Sequence, residues 1–178
     1  MSNLFKYDFY RMTGTEYRWY KQFKLIGRHN LQFMYWYRKY QSKRSILCKL
    51  MLYRMSRKYG LEISADAQIG KGLYLGHPYN ITVAEEVVLG KNVNLHKGCT
   101  IGRESRGSRS GVPTIGNNVF VGINSTIVGN IKVGSDVVIA PNAFVNFDVP
   151  DHSVVIGNPA QIHHKDDAAW CYVNFLVD

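Results

Sequence analysis

Two histidines, His77 and His96, are the clearest candidates for chemistry in this sequence. Each follows a leucine, Leu75 or Leu95, that belongs to one repeating pattern. Imidazole titrates near neutral pH, so such a residue can act as a general base or ligate a metal ion. A neighbouring pair therefore indicates either a base with a helper or two metal ligands. The rest of the pattern decides whether the two residues are neighbours.

That pattern is a six-residue repeat in the second part of the chain. A unit of six residues forms one short strand and a turn, which is too small to bury its own aliphatic side chain. Stacked units bury the aliphatic residues in a continuous column. Only two intervals depart from six: eight residues at Ile81–Leu89 and fourteen at Ile101–Ile115. The leading residues are Ile63, Ile69, Leu75, Ile81, Leu89, Leu95, Ile101, Ile115, Val121, Ile127, Val133, Ile139 and Val145.

The position four residues after each leading aliphatic is mostly small or β-branched, which predicts a second inward position at a tight corner. These residues are Ala67, Val93, Cys99, Val119, Ser125, Val137 and Ala143. Because Cys99 belongs to this set, we interpret it as a core residue and not as a reactive thiol. Three units would make one triangular coil. Since Leu75 and Leu95 are one coil apart, we expect His77 and His96 on the same side of adjacent coils.

The composition changes near residue 60. Residues 1–60 contain 14 Lys and Arg, two acidic residues and 15 of the 23 aromatic residues, whereas 13 of the 16 glycines follow residue 60. Such a shift marks two modules with different roles. The pattern predicts a basic, aromatic α-helical module over residues 1–59 and a repeat domain over 60–160, with a loop at 103–114. A C-terminal tail is predicted over 161–178.

Several classes of protein are disfavoured by the composition. The hydrophobic content of 46% and charged content of 20% are ordinary for a globular protein. There is no run of 18 apolar residues and no secretory signal at the amino terminus. The three cysteines are dispersed, which disfavours a disulfide framework and a structural zinc site. These features predict a cytoplasmic protein.

The hexads and their flanking motifs resemble the hexapeptide-repeat acyltransferases over about residues 60–165. The stretches Gly60–Ile63 and Leu75–His77 are similar to the serine acetyltransferase branch, which includes relatives from capsule and exopolysaccharide clusters. The resemblance implies a left-handed parallel β-helix, here preceded by the small helical module. It also implies a homotrimer whose sites form between subunits, with loop 103–114 reaching the neighbouring subunit.

The same resemblance implies catalytic roles. His77 falls on the family's general base, and Glu62 falls on the acid that orients the base, where the family usually has Asp. We expect His96 to be an auxiliary residue. Zinc-binding carbonic anhydrases with this fold use a His-x4-His motif, which is absent here, so we expect no metal.

The resemblance further implies acetyl-CoA as the acyl donor, held largely by backbone groups beside the coils. Small residues allow a thin pantetheine arm to approach the backbone closely. The matching positions are Thr100, Gly102, Arg103, Gly122, Ile123, Ala140, Pro159 and Ala160.

Two departures concern the acceptor. An Asp precedes the base in serine acetyltransferases, but Gly76 stands here, and their Arg-His pair in the loop is replaced by Gly111 and Val112. A charged amino-acid acceptor would lose paired contacts at these substrate-binding positions. We therefore predict transfer to a neutral hydroxyl, such as one on a saccharide in surface polysaccharide biosynthesis. The alternatives are serine O-acetyltransferase and a non-catalytic hexapeptide scaffold.

The sequence is compatible with more than one binding partner for the basic module. The sequence contains no nucleic-acid-binding motif, which ranks that partner last. Packing against neighbouring subunits is the simplest interpretation of residues 1–60. Peripheral contact with an anionic membrane is the second, because a lipid-linked glycan acceptor would be found there.

Overall fold

The computed structural model describes residues 3–178 and begins with helices. They are α1 (Asn3–Thr13), a 3₁₀ helix (Trp19–Leu25), α2 (His29–Lys43) and α3 (Ile46–Tyr59). Gly60 ends α3 in the left-handed region, with φ of 66°, as a glycine after the last helical residue commonly does. Met1 and Ser2, which begin the predicted helical module, lie outside the described residues.

The chain after Gly60 winds into a parallel β-helix of about five coils. The strands are β1 (Leu61–Ile63), β2 (Gln68–Ile69), β3 (Tyr74–Gly76), β4 (Ile81–Val83), β5 (Val88–Leu89), β6 (Asn94–His96), β7 (Thr100–Gly102), β8 (Thr114–Ile115), β9 (Val119–Val121), β10 (Thr126–Val128), β11 (Lys132–Val133), β12 (Val137–Ile139), β13 (Phe144–Val145), β14 (Ser153–Gly157) and β15 (Ala160–His164). Sheet A contains β1, β4, β7, β10 and β13; sheet B contains β2, β5, β8 and β11; sheet C contains β3, β6, β9, β12, β14 and β15. Only β15 runs antiparallel to its neighbour among these strands.

The predicted aliphatic column forms the core of the β-helix. All thirteen leading aliphatics are buried, and so are all seven residues of the second inward set. In sheet C, Leu75 lies beside Leu95, which lies beside Val121. Cys99 is fully buried, and burial raises the pKa of its thiol to about 12. The thiol is therefore neutral at physiological pH, which confirms its interpretation as a core residue.

A buried ion pair joins the helices to the first coil. Arg38 of α2 donates to Asp8 of α1 at 2.7 Å, and both side chains are almost completely buried. Arg38 also donates to the carbonyls of Ile69 and Gly70, while Asp8 accepts from the backbone N–H groups that follow in the same turn. The helices and the coils share one hydrophobic core.

The C-terminal segment packs against the outer surface of sheet C. Asn92 binds both the N–H and the carbonyl of Val177, and Asn94 donates to the carbonyl of Tyr172. Asp136 accepts from the N–H groups of Ala168 and Ala169 at 3.0 and 2.8 Å. The predicted tail thus begins later than residue 161: residues 161–164 belong to β15 of sheet C, and the rest is held on the β-helix by polar side chains of the coils.

We expect Arg38→Met to destabilise the fold by about 3–5 kcal/mol, because it leaves the Asp8 carboxylate buried without its charge partner. Chemical denaturation of both proteins measures this difference. The matched control is Arg44→Met, which removes the exposed ion pair with Asp66. Exposed pairs contribute little to stability. Equal stability of the two variants would show that the buried pair does not hold the helices to the coil.

Candidate functional site

One edge of the prism carries six of the fourteen predicted site residues. The turns that lead from sheet C to sheet A stack above one another, because their strands pair in register. Four such turns lie at residues 77–80, 97–99, 122–125 and 140–143, and the hairpin between β14 and β15 at 157–160 follows them at the same ends of the sheet C strands; we call this line the C–A edge. It carries the predicted base His77 in the first coil. It also carries five predicted cofactor positions in later coils: Gly122, Ile123, Ala140, Pro159 and Ala160.

His77 sits in a constrained turn. Its φ is 47°, in the left-handed region that non-glycine residues adopt rarely, and its side chain is exposed. The helical module fixes this turn from one side, since His29 bonds the carbonyl of Pro78 at 3.1 Å. The N–H of Asn80 donates to the carbonyl of Tyr59 at the end of α3. Twelve other non-glycine residues of the described chain also have positive φ, most of them at turns of the coils, so this conformation belongs to the turn geometry.

His29 of α2 supports this turn from the helical module. Its ring stacks on Tyr59 with a centroid distance of 4.3 Å and also contacts Tyr79. Sequence reasoning missed this function because the hydrogen bond spans 49 residues. No local pattern around His29 signals the contact.

The His96 ring covers Gly76. The two residues pair in register between β3 and β6. A Cβ atom added to Gly76 would lie 2.5 Å from Cε1 and 2.6 Å from Nδ1 of His96. The imidazole thus fills the space that any larger residue at position 76 would need. The missing side chain at Gly76 and the ring at His96 therefore depend on each other, because the ring occupies the space that a side chain at position 76 would need.

The His96 ring lies in a largely apolar setting. It contacts Phe120 at a centroid distance of 4.6 Å, and its Nε2 is buried without a hydrogen-bond partner among the described residues. Burial lowers the pKa of His96, and the neighbouring His77 lowers it further. The imidazole is therefore neutral at physiological pH. The structure brings His77 and His96 close together, with His77 exposed and His96 half-buried.

Glu62 lies on β1 opposite Thr82 of β4, with an exposed side chain. Within residues 3–178, neither a hydrogen bond nor an ion pair joins Glu62 to His77. The structure therefore does not show the orienting contact that the resemblance implies.

The fold requires a glycine at one of the predicted cofactor positions, Gly122, but not at another, Gly102. A Cβ on Gly122 would collide with backbone atoms of the next coil at 2.6 and 2.7 Å, so coil stacking alone explains that glycine. A Cβ on Gly102 would meet only ordinary contacts, at 3.4 and 3.6 Å. The fold does not need a glycine at 102. Its small size leaves the backbone of β7 open beside Thr100, which fits a thin ligand arm.

The loop that carries Gly111 and Val112 lies at a different edge. It connects β7 of sheet A to β8 of sheet B, with a bridge between Glu104 and Gly111 at its base. Arg103 pairs with Glu86 in the preceding coil. Within one chain, the whole width of sheet A separates this loop from His77. The predicted acceptor positions 76, 111 and 112 are therefore not brought together in a single subunit.

The residues that the structure describes contain no group of three or more His, Cys, Asp or Glu side chains suited to holding a metal ion.

Comparisons with known proteins find the same hexapeptide repeat. The family model described as bacterial transferase hexapeptide (six repeats) matches residues 113–146. Serine acetyltransferase 4 of Arabidopsis thaliana is 36% identical over 119 residues, which cover 67% of this chain and 34% of that protein.

Solved structures extend the similarity to three dimensions. The serine acetyltransferase of Neisseria gonorrhoeae is 34% identical with a TM-score of 0.64, over 76% of this chain and 52% of that one. A serine acetyltransferase in complex with CoA is 27% identical with a TM-score of 0.68, over 79% and 60% of the two chains.

These findings confirm the resemblance to the hexapeptide-repeat acyltransferases and to their serine acetyltransferase branch. They also confirm the fold class, a left-handed parallel β-helix preceded by helices. The chain spans about a third to three fifths of the length of these relatives.

The contact between Gly76 and His96 predicts energetic coupling. We expect Gly76→Ala to destabilise the wild-type protein, because the new methyl group forces the imidazole aside. The same substitution should cost less in a His96→Ala background, with a coupling of about 0.5–3 kcal/mol. A double-mutant cycle by chemical denaturation measures it.

The control for this cycle is Gly102→Ala, where the added methyl meets no close contact. It should be tolerated in both backgrounds. Additive effects of Gly76→Ala and His96→Ala would contradict the coupling.

Proposed function

We propose that this protein is an acetyl-CoA-dependent O-acetyltransferase. The observation that carries the proposal is the C–A edge, where His77 shares one line with five of the predicted cofactor positions. Gly102 lies at the other end of β7, beside the loop at 103–114, and its open backbone leaves room there for a pantetheine arm. The similarity to serine acetyltransferases, one of them solved with CoA, supports the same activity.

His77 is the proposed general base. Its ring is exposed at the surface, where an acceptor hydroxyl can reach it. His77 takes the proton from this hydroxyl as the oxygen attacks the thioester carbonyl, and the proton can then pass to the departing CoA thiolate. Backbone N–H groups of the edge would stabilise the oxyanion. Glu62 would favour the protonated imidazole through its charge.

The acceptor has two candidates. L-Serine is better supported, because the similar proteins and structures are serine acetyltransferases. A saccharide hydroxyl is favoured by one feature of this chain, since Gly76, Gly111 and Val112 provide no charged group for an amino acid. The His96 ring over Gly76 adds an apolar surface instead. A role in surface polysaccharide biosynthesis would apply only if the acceptor is a saccharide.

A homotrimer would complete the site. The loop at 103–114 lies across sheet A from His77 in one chain, so it can border the base only of a neighbouring chain. A cyclic assembly that packs this loop against the next subunit's C–A edge would bring positions 76, 111 and 112 together. The proposed site is therefore shared between subunits.

We expect His77→Ala to lower turnover by about 10²–10⁴-fold while the protein stays folded, because the general base is removed. Release of free CoA from acetyl-CoA measures the rate. Glu62→Gln should cost less, since it alters only the charge near the base. The matched control is His163→Ala, an exposed histidine on β15 that should leave the rate unchanged. Wild-type turnover by His77→Ala would show that the base lies elsewhere, and no turnover by any form would favour the scaffold alternative.

The acceptor is tested by steady-state assay with L-serine beside neutral sugars and nucleotide sugars. Efficient serine turnover, with kcat/KM of about 10⁴ M⁻¹s⁻¹ or above, is expected for a serine acetyltransferase. Much faster turnover of a saccharide would instead assign the acceptor to the second candidate. Equal, slow turnover of all of them would leave neither as the physiological acceptor.

The helical module has a surface suited to an anionic membrane. The outer face of α3 exposes Ile46, Leu47, Leu50 and Tyr53, while its inner face packs on the core. Twelve Lys and Arg residues and no acidic residue lie between Glu16 and Glu62. No helix in the described chain is long and apolar enough to cross a membrane. Exposed apolar side chains among basic ones are typical of helices that lie at the membrane surface.

We expect the protein to sediment with vesicles that contain anionic lipid and not with neutral vesicles, and more strongly at low salt. Lys49→Glu on α3 should weaken this binding by about tenfold, because it reverses a charge beside the apolar face. Lys132→Glu, on exposed strand β11, is the matched control and should bind as the wild type does. Absence of sedimentation at either salt would favour packing of this face between subunits.

A further inference from the structure

A cavity of about 320 Å³ lies between α1, the outer surface of sheet C and the C-terminal segment. Its polar lining includes Arg11, Asn94 and His96, and its aromatic lining includes Tyr74, Phe120 and Tyr172. The cavity ends at His96, and the catalytic candidate His77 does not line it. Asn94 lies three residues before Lys97, which is level with His77 in the next coil. Strand geometry therefore separates Asn94 from the level of His77 by about 10 Å.

The charge at the base of this cavity is unbalanced. Arg11 is 2% exposed, and it donates from Nε to the carbonyl of Gly72 and from Nη2 to the side-chain oxygen of Asn94. Both partners are neutral. Asp8, the buried carboxylate nearby, already binds Arg38. Two buried guanidinium groups thus share one buried carboxylate.

Arg11 keeps its charge in this setting. Burial lowers its pKa to about 10, which still leaves the guanidinium protonated at physiological pH. Within residues 3–178, no carboxylate lies within 4.0 Å of it, and Nη1 has no protein partner but is not sealed from solvent. Asp8 acts on Arg11 only at a distance and is bonded to Arg38, so a buried cation with no directly bonded anion faces the cavity, which suits an anionic ligand.

The aromatic wall sets the shape of what can bind. The rings of His96 and Phe120 lie 4.6 Å apart, and those of Phe120 and Tyr172 lie 5.0 Å apart. Tyr74 extends this wall on the side of Arg11. The Nε2 atom of His96 is the one buried side-chain nitrogen or oxygen in the described chain that lacks a partner. A continuous ring surface beside a cation and an unpaired imidazole suits a cyclic body with polar substituents.

We propose that this cavity binds a small anionic molecule with a ring-shaped body, of the size and chemistry of a phosphorylated sugar. Its anionic group would accept from Nη1 of Arg11, a group that recognises phosphate well. Its ring would lie against Phe120 and Tyr172. This site lies beside the proposed catalytic edge and goes beyond the proposed function, since it requires no contact with His77.

Calorimetric titration of the full chain in its native assembly tests the proposal. The probes are glucose 1-phosphate, glucose and inorganic phosphate, compared at one ionic strength. We expect glucose 1-phosphate to bind at least tenfold more tightly than either of the other two, because only it engages the cation and the rings together. Equal affinity for glucose 1-phosphate and inorganic phosphate, or no binding of any probe, would overturn the proposal.

Variants locate the binding. Tyr172→Ala removes an aromatic wall from an exposed segment, and it should weaken glucose 1-phosphate binding by fivefold or more. Trp170→Ala, on the same segment but outside the cavity lining, is the matched control and should bind normally. Arg11→Met should abolish the preference for the phosphorylated sugar. Should that variant fail to fold, Phe120→Leu provides the second measurement inside the cavity. Unchanged binding in both Tyr172→Ala and Phe120→Leu would place the probe elsewhere.

Two further arms separate this site from catalysis. His77→Ala should bind glucose 1-phosphate as the wild type does, whatever its turnover. Acetylation of glucose 1-phosphate by the wild type would identify the bound molecule as an acceptor, whereas binding without acetylation would identify it as an effector. Loss of binding in His77→Ala would contradict a site separate from the catalytic edge.

Discussion

The burial of one aliphatic side chain in every six residues is the constraint on which this molecule depends. A hexad cannot form a core alone, so each coil must stack on the next with its strands in register. Stacking fixes more than the core. It also aligns the turns, so that residues as far apart as His77 and Ala160 lie along one edge. The proposed site is a consequence of this alignment, because no single coil contains it.

The polar groups that join the helices to the coils matter as much as the apolar core. Asp8 and Arg38 satisfy backbone groups of the turn between β2 and β3, which the first coil would otherwise leave buried without partners. A second buried cation, Arg11, lies in the same region, and it binds the carbonyl of Gly72 and not a carboxylate of its own. The helices also hold the turn at Pro78 through His29. Their docking therefore shapes both the turn of His77 and the cavity next to it.

Periodicity made the core predictable, since every leading aliphatic from Ile63 to Val145 is buried as expected. The burial of Cys99 followed from the same register. Contacts between distant segments were not predictable in this way. The hexads predicted that Leu75 and Leu95 lie one coil apart, but the position of the His96 ring over Gly76 also depends on a rotamer, which leaves no mark in the local sequence. The orienting contact implied for Glu62 depends on side-chain distances and is not seen in one chain.

The C-terminal segment shows how a fold can leave part of itself free to vary. Asn92, Asn94 and Asp136 of the coils bind main-chain groups of this segment, and almost any residue presents the same groups. The side chains of Trp170, Tyr172 and Phe175 are exposed and are not needed for attachment through these bonds. Mutations there can accumulate without detaching the segment. Among descendants of this chain, the C-terminal segment should therefore diverge faster than the coils. This segment forms one wall of the cavity, so the ligand preference of the cavity can change while the β-helix stays the same.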